Sequence, residues 1–197
     1  MKLSKNRHIV YEIEGCDIVD GMLTFPETVT FISFNLKFSV DKNLIKKLVL
    51  PNVKVISSKT FIGLKVVEIE APKLVKISNE AFLNCSELEV VKTPALQTIG
   101  DRAFKGCFNL KYIDLVNIKE IGSKAFEYSD NLQVLGNLGY TKIGFTAEQS
   151  NHLILKLARK IRQANGLESE DNSNNFLTDY SRKVIIANPN YKNSTTI

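Results

Sequence analysis

The sequence predicts an α/β solenoid: short parallel strands on a concave face, short helical turns or loops on the convex side, and a helix closing the C-terminal end. Three observations predict it. An isoleucine-centred motif recurs at intervals of 21 or 22 residues, and a phenylalanine follows most copies five positions later. No copy holds enough apolar residues to fold alone, so only stacking can join these sparse sets into a continuous core.

Taken along the chain, the pattern divides into an N-terminal cap (1–22), repeats (23–145), a C-terminal capping helix (146–166), and a polar linker and tail (167–197). In the cap, Ile9, Tyr11 and Ile13 alternate with polar residues, and Asp20-Gly21 suits a tight turn into Met22-Leu23-Thr24-Phe25. A capping hairpin is expected there.

The repeats read Val53-x-x-Ile56, Leu74-x-x-Ile77, Leu96-x-x-Ile99, Ile118-x-x-Ile121 and Tyr140-x-x-Ile143, with a weaker copy at Val29-x-x-Ile32. Phe61, Phe82, Phe104 and Phe126 form the aromatic column, and Phe38 is its displaced first member. Leu44, Leu88, Leu110 and Leu132 come six residues after the Phe of their copies, whereas Leu64 follows Phe61 by three. Leu110-x-x-Ile113-x-Leu115 and Ile45-x-x-Leu48-x-Leu50 have the inward spacing of short strands, and so does Leu64-x-x-Val67-x-Ile69. Leu88-x-x-Val91-x-Thr93 is a polar variant. Pro51, Pro72 and Pro94 end strands where no ladder donor is needed, and Gly100 and Gly122 mark sharp turns at which Ser57 and Ser78 substitute. One turn of helix is expected at the Ala-Phe step that follows.

After the repeats, Thr146-Ala147-Glu148-Gln149 has capping-box spacing, Leu153, Ile154, Leu157 and Ile161 make one helical face, and Gly166 offers a stop. Past it, Glu168 to Asn175 is polar and aperiodic, which predicts a linker.

The unit Leu-x-x-Ile-Gly-x-x-Ala-Phe-x-x-Cys-x-x-Leu, running from Leu96 to Leu110, closely resembles the BspA-like leucine-rich repeat. Ile77-Ser78, Ala81-Phe82, Cys85 and Leu88 fit the same pattern, and Ile121-Gly122 with Ala125-Phe126 fit it with Ser129 in place of Cys. The resemblance spans about residues 23–145. It implies a right-handed leucine-rich-repeat fold and binding through a surface, often as a cell-surface adhesin. With no Sec signal peptide or wall anchor read from the sequence, the expectation is a cytoplasmic, non-catalytic protein-binding module. An effector exported without a Sec signal, or an adhesin-like protein, is the alternative.

Alternation of strand side chains predicts the binding face. The outward columns are expected to carry Val66, Val90, Tyr112 and Val134 beside Glu68, Lys92 and Asp114, a strip apolar enough to bind a protein or a second copy of the chain. No catalytic, cofactor-binding or metal-binding residues are expected. His8 and His152 fall at opposite ends of the array, and Cys16, Cys85 and Cys107 lack paired metal-ligand spacing. No phosphate-binding glycine loop occurs. The formal charge of +5, from 26 Lys+Arg against 21 Asp+Glu, is spread thinly except at Lys156, Arg159, Lys160 and Arg162 of the capping helix. Dispersed charge argues against nucleic acid as the partner.

Overall fold

The computed structural model describes residues 2–4, 9–13, 18–135 and 142–143. The expected capping helix at 146–166 and the tail at 167–197 lie outside the described residues, as do 5–8 and 14–17. Along the described chain the strands are β1 (Lys2–Leu3), β2 (Ile9–Ile13), β3 (Met22–Thr24), β4 (Phe31–Phe38), β5 (Lys47–Val49), β6 (Val55–Ile56) and β7 (Glu68–Glu70). They continue as β8 (Lys76–Ile77), β9 (Val90–Lys92), β10 (Thr98–Ile99), β11 (Tyr112–Asp114), β12 (Glu120–Ile121), β13 (Gln133–Leu135) and β14 (Lys142–Ile143).

Two sheets take alternate strands. One has the order β3-β5-β7-β9-β11-β13, the other β1-β2-β4-β6-β8-β10-β12-β14. Neighbours pair in parallel throughout, save the antiparallel β1–β2. This is the predicted solenoid, because a chain that visits each sheet once per coil and repeats every 21 or 22 residues must lay successive strands side by side. The expected hairpin of Ile9–Ile13 with Met22–Thr24 does not form: β2 enters the eight-stranded sheet and β3 the six-stranded one. The segment joins the stack in the same relation as β4 and β5. Its Asp20-Gly21 turn is real, with both residues at positive φ and Val19 and Met22 exchanging backbone hydrogen bonds of 3.2 and 2.8 Å.

The core lies between the sheets, and equivalent residues of successive coils touch. Ile32, Ile56, Ile77, Ile99 and Ile121 are buried in one sheet, and Leu48, Ile69, Val91 and Ile113 in the other. Phe61, Phe82, Phe104 and Phe126 stack along the axis with ring centroids 5.3, 5.4 and 5.5 Å apart and planes within 14° of parallel. Burying each ring contributes about 1.5–3 kcal/mol. Phe38 meets Phe61 edge-on at 6.2 Å, since β4 continues to Phe38 through a bulge, a five-residue step from Ile32 to Lys37 against a two-residue step of β2, where later coils turn after two residues.

The segments expected to form the convex side are turns, and the helical turn expected at the Ala-Phe step is absent among the described residues. The only helix among the described residues is one 3-10 turn at Lys42–Leu44. Backbone handedness explains the difference: Lys59, Glu80, Arg102 and Lys124 all have φ of 53–59°, and four residues on Gly63, Asn84, Gly106 and Tyr128 are again at positive φ. A right-handed helix cannot propagate through such residues. The inverted conformation turns alternate N–H groups along the stack instead. Phe61, Phe82 and Phe104 donate to the carbonyls of Ala81, Ala103 and Ala125 at 2.8–2.9 Å, so the turns form a third ladder between coils.

Side chains extend that ladder. Asn79 Oδ1 accepts the Asp101 N–H at 3.0 Å, and Asp101 Oδ1 accepts the Ser123 N–H at 2.7 Å. This close approach dictates Gly100 and Gly122, because a Cβ at either would overlap backbone and side-chain atoms of the preceding coil. The cysteine column has a related duty. Buried Cys85 and Cys107 donate from Sγ to the carbonyls of Phe61 and Phe82 at 3.1 and 3.2 Å, and Ser129 Oγ makes the same bond to Phe104 at 2.9 Å.

Candidate functional site

The outward face of the six-stranded sheet is ordered by its register. Met22, Lys47, Glu68, Val90, Tyr112 and Gln133 lie in one row, and Thr24, Val49, Glu70, Lys92, Asp114 and Leu135 in the next. Between them runs the inward row of Leu23, Leu48, Ile69, Val91 and Ile113, with Val134 the register partner of Ile113.

Five of the seven predicted site residues, Glu68, Val90, Lys92, Tyr112 and Asp114, lie on this face, although Glu68 belongs to the row of Val90 and Tyr112. Two do not. Val66 is 0% exposed and packs in the core, and Val134 is the register partner of Ile113 and not of Tyr112. The cause in the third coil is Leu64. It stands three residues after Phe61, as Cys85, Cys107 and Ser129 stand after their phenylalanines, and its N–H closes the same turn on the Phe carbonyl at 3.2 Å. Leu64 therefore fills the cysteine column, Val66 takes the place of Leu88 and Leu110, and the outward positions move on by two. In the last coil one residue fewer separates Leu132 from its strand, so the register partner of Tyr112 is Gln133 and not Val134. The expected valine strip is thus reduced to Val90 beside Tyr112.

Charge pairs take its place. Lys47 Nζ bridges Glu70 at 3.0 Å and Glu68 at 3.2 Å, and Glu68 Oε1 also accepts from Lys92 at 2.8 Å. The Lys92 hydrogen bond, reinforced by Lys47, holds the Glu68 carboxyl below the usual carboxylate range despite partial burial, and the Glu70 and Glu68 carboxylates raise the Lys47 ammonium. Such half-exposed pairs fix side-chain positions more than they add stability. Asp114 is held by the Val116 N–H at 3.2 Å. The result is a face on which a chain of alternating charges, Glu70–Lys47–Glu68–Lys92, borders a half-buried valine and tyrosine.

Nothing among the described residues groups three or more His, Cys, Asp or Glu side chains as a metal site would. Burial pushes the Cys85 thiol up to about 12 and the Cys107 thiol well above its ordinary value, so both are protonated hydrogen-bond donors. His8, His152 and the cations at 156–162 lie outside the described residues. No helix among the described residues is long and apolar enough to cross a membrane.

A stack of near-identical coils, joined at every level by ladders and presenting regular rows of side chains, defines a leucine-rich-repeat solenoid, a fold whose usual work is binding. The family model described as BspA type Leucine rich repeat region matches residues 14–134 in six copies, and the chain belongs to that family. Searches of the curated proteins and of the solved structures found no match.

Proposed function

We propose that the protein is a non-catalytic module that binds a protein partner through the outward face of its six-stranded sheet, centred on Val90 and Tyr112. The observation that carries this reading is the flanking ion-pair chain from Glu70 to Lys92. Long charged side chains normally lose freedom on association, at roughly 0.5–1.5 kcal/mol each. Here Lys47 and Glu68 are already held, and beside them lies an aromatic of the kind that anchors interfaces. Membership of a leucine-rich-repeat family supports the reading.

The test is affinity capture from cognate or host cells with wild type and the Tyr112→Ala/Asp114→Lys double variant side by side. Both side chains point outward, so the variant should melt within a few degrees of wild type. It should retain less than about a tenth of the captured partner, the change expected when an aromatic anchor is removed and a charge is reversed. Equal capture by the two proteins would remove this face from consideration.

A further inference from the structure

A second recognition surface lies on the other sheet. A cavity of about 580 Å³ opens on the outward side of β4, β6 and β8. Its floor is apolar: Phe31 and Val55 are register partners, and Phe34, three residues further along β4, is 63% exposed. Later coils carry Ser58, Asn79, Asp101 and Ser123 at the position of Phe34, and there Asn79 and Asp101 are absorbed by the ladder between coils. Phe34 cannot accept such a bond, and it lies between Ile32 and Lys37, where β4 bulges out of register with β2. An aromatic ring is left at the surface with no polar duty.

The wall of the cavity is cationic. Lys76 is the register partner of Val55 and forms no ion pair among the described residues. Lys59 stands across from it, with a side chain 66% exposed and its nearest carboxylate, that of Glu80, at 3.6 Å and also engaged by Arg102 at 3.4 Å. Ser78 also lines it, and among the described residues no carboxylate does. Two ammonium groups beside an apolar floor fit one ligand chemistry: an apolar side chain seated on Phe34 with carboxylates a residue or two away. An open depression of this volume has room for a few side chains, as an extended segment would present them.

We infer that this groove binds an acidic, extended peptide segment of a partner protein, with an aromatic or aliphatic anchor on Phe34 and Asp or Glu side chains against Lys59 and Lys76. The site is separate from the six-stranded face, so Tyr112→Ala/Asp114→Lys leaves it intact.

The experiment is selection of a random displayed heptapeptide library on the full-length protein, followed by titration of the selected peptides in fluorescence anisotropy. Selected peptides should pair an aromatic or aliphatic residue with acidic neighbours. Phe34→Ser and Lys76→Glu, both at exposed positions, should each weaken them about tenfold or more, and raising the salt concentration should weaken them further. Absence of enrichment, enrichment without acidic residues, or unchanged affinity in both variants would overturn the inference. So would a dimer in sedimentation equilibrium that Phe34→Ser dissociates, because the occupant would then be a second copy of the chain.

Discussion

Phe104 is the most informative side chain to remove. Its ring is fully buried, with the ring centroids of Phe82 and Phe126 at 5.4 and 5.5 Å. Truncation to alanine removes the apolar transfer energy of the ring and both stacked contacts, the latter about 0.5–1.5 kcal/mol each. Phe→Ala substitutions in cores cost about 3–5 kcal/mol, the larger values where the site cannot collapse. This site cannot: β8, β10 and β12 are held in register on one side, and the Phe104 N–H is held by the Ala125 carbonyl at 2.8 Å on the other. The expected loss is therefore about 4–5 kcal/mol, comparable to the whole stability of a marginal domain. Urea unfolding followed by far-UV circular dichroism should show the midpoint fall by about 2 M for an m-value near 2 kcal/mol/M. Phe104→Leu, which retains much of the volume, should cost about half as much. A loss under about 1 kcal/mol for Phe104→Ala, or equal losses for Leu and Ala, would refute the idea that a continuous aromatic column carries the stack.

The column that holds Leu50, Ala71 and Leu115 places Thr93 at the same depth, and its hydroxyl is buried without a hydrogen-bond partner. Thr93→Val should raise stability by about 1 kcal/mol in the same urea assay, and a destabilised variant would show that the hydroxyl has a partner. In the folded protein at pH 8, Cys85 and Cys107 should stay unlabelled by iodoacetamide in peptide mass spectrometry and react once urea unfolds the chain, because the Cys85 thiol, raised to about 12, holds almost no thiolate there. Rapid native labelling would contradict both the burial and the donor role.

Much of this fold was legible in the sequence because a repeat writes each contact several times. The Ile, Phe and Cys columns and the parallel pairing follow from spacing, and the turn at Asp20-Gly21 follows from its residue types. Register at the third coil did not, since Leu64, Val66, Val67 and Ile69 admit two alternations of equal apolar quality. The choice between them depends on which residue fills the cysteine column, a question settled by the turn that Leu64 closes on the Phe61 carbonyl and not by hydropathy. That ambiguity moved Val66 onto the surface and Glu68 out of its true row, and so it turned a charged face into an apolar one. The absence of helix at the Ala-Phe step was equally hidden. Lys59, Glu80, Arg102 and Lys124 are ordinary helix formers, and they adopt positive φ because the bond to the next coil outweighs local preference. Phe34 was invisible as a site because nothing local distinguishes it from the buried phenylalanines.

The ladder from Asn79 through Asp101 to Ser123 has an evolutionary consequence. Each member accepts from the coil after it or donates to the coil before it, at one fixed position, and none depends on how many coils lie beyond. A duplicated unit inserted in phase would find every partner waiting on both sides. Copy number is thus free to drift without redesign of the interior, while the outward rows, which no coil needs for its own folding, can diverge toward new targets.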